Sequence, residues 1–142
     1  MAPERKLYQD LRKHLPQISW TRLENLSGLG TPDLLGYNTS GHFFTVELKV
    51  TKGKKVRLSP HQISFHVKHP KHSFILIRHL GQRCLKLVPG NKILELEAQG
   101  INACGLKLLR TWTRTRFWFR FACCLWLVLR GLLLDACSSD LS

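Results

Sequence analysis

The segment from residue 33 to residue 50 constrains the fold more than any other part of the chain. Its positions 38–41 read NTSG, which is turn chemistry, and apolar residues stand on both sides. From 43 to 50 every even-numbered residue is apolar, whereas Glu47 and Lys49 are among the odd-numbered residues. Because successive side chains of a strand point to opposite faces, the segment predicts a β-hairpin whose second strand has one face in the core.

The register of this hairpin brings charged residues together. A three-residue turn pairs Asn38 with His42, and the same register places Asp33 opposite Glu47. Opposed residues carry their Cβ atoms roughly 4.5–5.5 Å apart on one face, and Lys49, two residues further along, shares that face. Two carboxylates at this distance repel each other, and one takes up a proton unless a cation lies between them. The pair therefore predicts a site for a hard divalent cation, beside an ammonium group that can act on water or developing charge.

A second helix start stands downstream of the hairpin. Ser59 suits the N-cap, Pro60 the first helical position, and Gln62 the position that completes a capping box. This helix is predicted to end before Pro70. Apolar spacing and turn residues predict the other elements, which are a helix over residues 4–15, a strand or extended arm over 18–26, and strands over 73–78 and 84–88.

Charge narrows the class of partner. The chain has 142 residues, enough for one domain with a modest core. Lys and Arg number 22 against 9 Asp and Glu, which gives a formal net charge of +13 at pH 7. Such a surplus favours nucleic acid or an anionic membrane surface as the partner. The surplus is present before and after residue 100, which excludes a basic tail on a neutral domain.

Cysteine usage and hydropathy indicate the compartment. The five cysteines form an odd set without a C-x-x-C pair, which argues against a disulfide framework and favours a reducing compartment. The charged N-terminus has no apolar signal core. The longest apolar run, residues 121–134, is interrupted by Arg130 and is shorter than the roughly 20 residues that span a bilayer. We therefore expect a cytoplasmic protein, in the host cytoplasm if a virus encodes it.

Composition changes after residue 100. Residues 111–120 alternate Arg with Trp and Phe, and the apolar run follows them. We predict a domain over residues 1–99 and a basic, apolar extension of unknown role over residues 100–142. A terminal helix and a poorly ordered appendage are both compatible with this composition.

Two short motifs resemble a known superfamily. Pro32-Asp33, followed by Glu47-Leu48-Lys49, is similar to the PD-(D/E)xK nuclease signature. The surrounding text, GLGTPDLLGY, FFTVELKV and LSPHQISFH, resembles the stand-alone VRR-NUC branch and related phage and junction-resolving nucleases. The resemblance covers roughly residues 4–90. It implies an α/β fold of the restriction-endonuclease-like kind, in which helices flank a small mixed sheet.

The resemblance also implies an activity. It indicates an endonuclease that hydrolyses DNA phosphodiester bonds with Mg²⁺ or Mn²⁺. The similarity to junction-resolving nucleases further implies selectivity for four-way or branched DNA. A homodimer is expected if four-way junctions are resolved, because two symmetric cuts need two sites. The implied roles are metal ligation by Asp33, Glu47 and the backbone carbonyl of Leu48, catalysis by Lys49, support by Gln62, and a further acidic ligand at Glu4 or Glu24.

Each of these roles has a plainer alternative. Asp33, Glu47 and Lys49 alone are compatible with a solvated strand face. The capping box by itself explains the presence of a glutamine at position 62. Glu4 suits the first turn of a helix, and the sequence does not choose between it and Glu24. A basic loop follows the hairpin and is predicted to bind the DNA backbone, although a solvated loop has the same composition; its residues are Lys52, Lys54, Lys55 and Arg57.

Two other functions compete with the nuclease. A non-catalytic DNA-binding module could keep the same fold, but pure binding has no need of paired carboxylates beside phosphates. A membrane-surface protein could act through residues 110–134, whose aromatic and basic composition suits an interface.

Overall fold

The computed structural model describes residues 2–24, 28–103 and 105–108 of the chain. Within them, six strands form one mixed sheet in which spatial order follows chain order. No helix among these residues has the length and hydropathy needed to cross a bilayer. In chain order the elements are α1 (Pro3–His14), β1 (Ser19–Arg22), β2 (Leu34–Tyr37), β3 (Phe43–Thr51), α2 (Pro60–Lys68), β4 (Ser73–His79), β5 (Cys84–Pro89), α3 (Ile93–Gln99) and β6 (Leu106–Leu108).

The sheet is antiparallel at both ends and parallel in the middle. β1, β2 and β3 pair antiparallel, as do β4, β5 and β6, whereas β3 and β4 run parallel. A parallel pair needs a crossover connection, and α2 supplies it. The predicted α/β class, with a small mixed sheet flanked by helices, is confirmed.

The core has one layer on each face of the sheet. On the first face, Leu7 and Leu11 of α1 are fully buried against the even-numbered residues of β3, such as Phe44. On the second face, Ile75 and Ile77 of β4 pack with residues of α3 and of the segment that precedes α2. The sequence predicted one buried face for β3. At Glu47 the second face is covered as well, so this carboxylate is buried.

The sheet continues past the predicted domain boundary at residue 99. Ile101 and Ala103 are buried in the second core layer, and β6 pairs with β5. The ammonium of Lys86 donates to the carbonyl of Ile101 at 2.7 Å and also to that of Ala103. The boundary at 99 therefore falls before the last residues of the core. Residues 109–142, which include most of the predicted extension, lie outside the described residues.

We expect Lys86→Ala to reduce the free energy of unfolding by about 2 kcal/mol, because two buried carbonyl groups lose their donor. Urea unfolding followed by circular dichroism measures the change. Lys71→Ala is the matched control, because Lys71 is exposed and such surface changes stay within about 0.5 kcal/mol. Equal stability of the two variants would contradict a stabilising role for Lys86.

The buried histidine of α2, His66, contacts the first residue of β4. The Nδ1 atom of His66 is hydrogen-bonded to the Ser73 hydroxyl, and its Nε2 atom is buried without a partner in the described part of the chain. Burial, and then the neighbouring His69, lower the pKa of His66 to about 4. The side chain is therefore neutral in the folded protein at physiological pH.

Candidate active site

The β2–β3 hairpin has the register that the sequence predicted. Leu34 pairs with Val46, and the amide of Asn38 donates to the carbonyl of His42 at 3.1 Å. Asp33 directly precedes β2, and its Oδ2 atom accepts a hydrogen bond from the Leu48 amide of β3 at 2.8 Å. This bond fixes the first carboxylate just before β2 begins, where the pairing of β2 with β3 stops although β3 continues.

The second carboxylate belongs to Glu47, which is only 2% exposed. Its Oε1 atom accepts a hydrogen bond from the side-chain amide of Gln62 at 2.5 Å and lies 3.4 Å from the ammonium of Lys49. Its Oε2 atom is buried and has no hydrogen-bond partner among the described residues. A buried carboxylate oxygen without a partner is costly, and Glu47 lines the same pocket as Asp33.

Gln62 connects the start of α2 to the site. Its Oε1 atom accepts hydrogen bonds from the Ser59 amide at 3.0 Å and from the Lys49 ammonium at 3.1 Å, while its Nε2 atom donates to Glu47. The Ser59 hydroxyl in turn accepts from the Gln62 amide at 3.2 Å, so the predicted capping box is formed. The sequence left two roles open for Gln62, in the capping box and at the site. Its side chain makes both kinds of contact.

An open pocket lies over these groups, between the first turns of α1 and α2 and the ends of β1 and β2. Of the two candidate acidic residues, Glu4 lines this pocket, whereas Glu24 is exposed beyond the end of β1 and does not line it. The lining residues are Ala2, Glu4, Arg5, Arg22, Asp33, Glu47, Leu48, Lys49 and Gln62.

Burial dominates the electrostatics of the two carboxylates. Desolvation raises the pKa of Asp33, while the Leu48 amide and the Lys49 charge oppose the shift. Desolvation, and then the charge of Asp33, raise the pKa of Glu47 to about 7 against the opposing effect of Lys49. The pair thus holds a proton near neutral pH when no cation lies between the two groups.

The donors of this pocket suit a hard divalent cation. Two carboxylates line it, and one oxygen of Glu47 has no hydrogen-bond partner among the residues that the structure describes. The N–H and C=O of one strand residue point to the same edge, so the Leu48 carbonyl lies on the edge of β3 that faces Asp33. Within the described ranges, no group of three or more His, Cys, Asp or Glu side chains is arranged to hold a metal ion, either at this pocket or elsewhere. Two carboxylates with a main-chain carbonyl match the sparse protein shells of Mg²⁺.

The two buried titrating groups affect stability in opposite directions. The folded pKa of Glu47 lies above its ordinary value of 4.5, so its contribution is present below 4.5 and is lost as pH rises to about 7. The folded pKa of His66 lies below its ordinary value of 6.5, so its contribution is present above 6.5 and is lost as pH falls to about 4.

We therefore expect a nearly flat stability curve between pH 5 and 6.5, in which the two effects offset each other, in EDTA-containing buffer. Glu47→Gln leaves His66 alone, so stability falls on acidification, by up to about 3 kcal/mol. His66→Asn leaves Glu47 alone and gives the reverse slope. Urea titrations at a series of pH values measure all three curves, and parallel curves for the two variants would contradict the opposite signs.

The predicted DNA-binding loop connects β3 to α2. Its main chain is held in place, because the Gly53 carbonyl is hydrogen-bonded to Nε2 of His79 at 3.1 Å and the Lys54 carbonyl accepts from the Ile101 amide at 2.8 Å. The loop residues do not line the pocket. All four basic side chains, which belong to Lys52, Lys54, Lys55 and Arg57, are exposed.

Sequence reasoning missed two cations at the pocket. Arg5 comes from the first turn of α1, and Arg22 comes from the end of β1. The charge of Arg22 also opposes the upward shift of the Asp33 pKa. Only the tertiary placement of α1 and β1 brings these residues to the pocket; the one signal in the sequence is that Arg5 adjoins Glu4, a predicted candidate.

Comparisons with known proteins give remote structural similarities. No protein-family model and no curated protein sequence matches the chain. A Holliday junction resolvase, Hjc of Archaeoglobus fulgidus, is 19% identical with a TM-score of 0.46, over 63% of this chain and 75% of that chain. A bacterial homing endonuclease, I-Ssp6803I, is 15% identical with a TM-score of 0.40, over 99% of this chain and 93% of that chain. At TM-scores below 0.5, neither similarity bears on the function of this chain.

Proposed function

We propose that this protein is a metal-dependent DNA endonuclease that hydrolyses phosphodiester bonds at the Asp33–Glu47 pair. The observation that carries the proposal is the buried carboxylate of Glu47 at a pocket that it shares with Asp33; its Oε2 atom has no hydrogen-bond partner within the described part of the chain. Without a cation the two carboxylates share a proton, because burial and the charge of Asp33 raise the pKa of Glu47. A divalent cation would satisfy both carboxylates and leave them charged. The net charge of +13 supports a polyanionic substrate.

Each pocket residue has a proposed role. Asp33, Glu47 and the Leu48 carbonyl would hold Mg²⁺ or Mn²⁺, with Glu4 at the rim as a further acidic group. When bound, the cation supplies charge neutralisation and polarises phosphate oxygens. Lys49 is aimed by its hydrogen bond to Gln62, and its ammonium stabilises developing charge or helps to orient or deprotonate the attacking water.

Cations at the pocket and in the loop after β3 would bind phosphates. Arg5 and Arg22 line it directly, and the basic loop follows β3 three residues after Lys49. Because such contacts act on the sugar–phosphate backbone, they give affinity without base specificity. A preference for four-way or branched DNA and a homodimeric state are part of the proposal, and so is a reducing, cytoplasmic setting.

Cleavage assays with defined substrates test the proposal. Purified protein is incubated with duplex, single-stranded, flap and four-way-junction DNA in Mg²⁺, Mn²⁺ or EDTA, and its mass in solution is measured by light scattering. We expect cleavage with Mg²⁺ or Mn²⁺ and none with EDTA. Tight DNA binding without cleavage under any metal would instead support the non-catalytic DNA-binding module.

We expect Lys54→Ala combined with Lys55→Ala to weaken DNA binding regardless of sequence. Each lost phosphate contact reduces the slope of log affinity against log salt by about 0.9, so the slope falls by about 2. Fluorescence anisotropy at several salt concentrations measures the slope. The charge-matched control is Arg12→Ala with Lys13→Ala, at two exposed positions in the last turn of α1, and equal slopes for the two variants would argue against the loop as a phosphate-binding element.

A further inference from the structure

Two aromatic side chains lie exposed on the face of the β2–β3 hairpin. Tyr37 is 41% exposed and Phe43 is 61% exposed, although large aromatic side chains are usually covered. They pair directly across the two strands, with ring centroids 4.5 Å apart. We call Tyr37 and Phe43 the aromatic platform.

The aromatic platform shares a sheet face with the candidate active site. Phe43 and Glu47 are both odd-numbered residues of β3, so their side chains project to the same face. Four residues of strand separate them, which corresponds to about 13 Å. Tyr37 is opposite Phe43 and therefore lies on this face as well. A polymer bound in the pocket and running along β3 toward the hairpin turn would reach the aromatic platform.

The segment that precedes β4 lies beside the first residues of β3. The amide of Thr45 donates to the carbonyl of His72 at 2.9 Å, which brings the segment before β4 beside this part of β3. The rings of His42 and His72 are stacked, with centroids 6.4 Å apart. Lys71, next in the chain to His72, is exposed. Exposed aromatic rings on a protein with a net charge of +13 suit a strand of unpaired nucleotides, whose bases stack on rings and whose phosphates are anionic.

We propose that the aromatic platform binds unpaired bases of the DNA strand that the site cuts, so that the enzyme favours substrates with a single-stranded segment next to the scissile bond. The inference rests on the proposed function, because it extends the path of the same substrate. In a fully paired duplex the bases stack on one another, so the faces of the bases cannot contact the two rings. The platform therefore selects for unpaired substrate and contributes little to duplex binding.

Binding assays with the full chain in EDTA test the inference without cleavage. The probes are a blunt duplex and the same duplex with a short single-stranded extension that contains 2-aminopurine. Tyr37→Ala with Phe43→Ala is expected to weaken binding of the extended duplex at least about fivefold, the lower end for loss of one stacked base, and to leave blunt duplex unchanged. Phe43→Trp retains a stacking ring and keeps the affinity. Leu94→Ala, an exposed apolar residue of α3, is the control and changes neither affinity.

Several outcomes overturn the inference. Absence of 2-aminopurine quenching by the wild-type protein would do so whether or not the variants fold, as would equal loss of affinity for both probes. A dimer that the double alanine variant converts to monomer, with unchanged affinity for the extension, would assign the aromatic platform to contact with a second copy. Cleavage by the wild-type protein in Mg²⁺ is scored separately, so that loss of base binding and failure of the nuclease proposal are distinguishable.

Discussion

Asp33→Asn and Glu47→Gln are each expected to reduce DNA cleavage about a thousandfold or more, since a bound metal contributes several kcal/mol to such a transition state. Each substitution removes one negative charge with little change in size. The Leu48 amide can still donate to the amide oxygen of an asparagine at position 33, and the Gln62 amide can still meet a carbonyl at position 47, so the local structure persists. What is lost is the pair of anionic oxygens that would hold the cation.

Two further measurements separate this effect from misfolding. Calorimetric titration with Mg²⁺ is expected to show weaker binding to both variants, while unfolding at neutral pH shows Glu47→Gln to be at least as stable as the wild type, because the buried charge is gone. DNA binding without metal is expected to persist or tighten, because carboxylates repel phosphates. Glu97→Gln, at an exposed position of α3, is the matched control and keeps full activity.

The double variant gives the decisive comparison. A folded protein that carries both Asp33→Asn and Glu47→Gln and still cuts DNA at the wild-type rate would refute the nuclease assignment at this pocket. Residual activity that EDTA does not remove would point to a contaminating nuclease, which the Glu97→Gln preparation would also contain.

The centre of the site was predictable because it depends on local sequence patterns. The alternation from residue 43 to 50 and the three-residue turn fix the hairpin register, and that register is enough to bring Asp33 to Glu47. Likewise, the S-P-x-Q pattern predicts the capped start of α2. Period, turn length and capping act over a few residues, so a single sequence carries them in full.

The surroundings of the site depend on long-range packing, which the sequence does not encode locally. The choice between Glu4 and Glu24 required the position of α1 on the sheet, which the buried leucines of that helix determine together with the ion pair of Arg78 and Asp10 at 2.5 Å. The burial of Glu47 required α2 to lie over the second face of β3, where Gln62 contacts the carboxylate. Alternation predicts which way a side chain points, but not what lies over it.

The packing of residues 101–103 into the core could not be predicted for a related reason. Residues 101–103 have an ordinary composition, and their place in the core depends on hydrogen bonds from Lys86, fifteen residues or more away in the chain. A lysine between apolar residues in CLKLV predicts a half-exposed strand position. Its ammonium is buried instead because two carbonyl groups beyond α3 compensate the loss of water.

Lys49→Ala is expected to lower the turnover rate between about a hundredfold and ten-thousandfold, the range for a positioned proton-transfer or charge-stabilising group. The side chain is 20% exposed, and its ammonium lies 3.4 Å from the Glu47 carboxylate and is hydrogen-bonded to Gln62. It is thus aimed at the pocket in which the carboxylates lie. Because it is not a metal ligand, the affinity for Mg²⁺ in calorimetric titration is expected to persist.

A purely electrostatic role for Lys49 makes a different prediction. If its charge only attracts DNA, Lys49→Ala would raise the KM and spare the turnover rate, as is expected of Lys52→Ala, which changes an exposed residue three positions further along the chain. Lys49→Arg keeps the charge but replaces a compact ammonium by a planar guanidinium too large for the same contacts, so it would rescue binding and not turnover. Single-turnover cleavage at saturating enzyme separates the two cases, and an unchanged rate for Lys49→Ala under those conditions would remove the residue from the catalytic machinery.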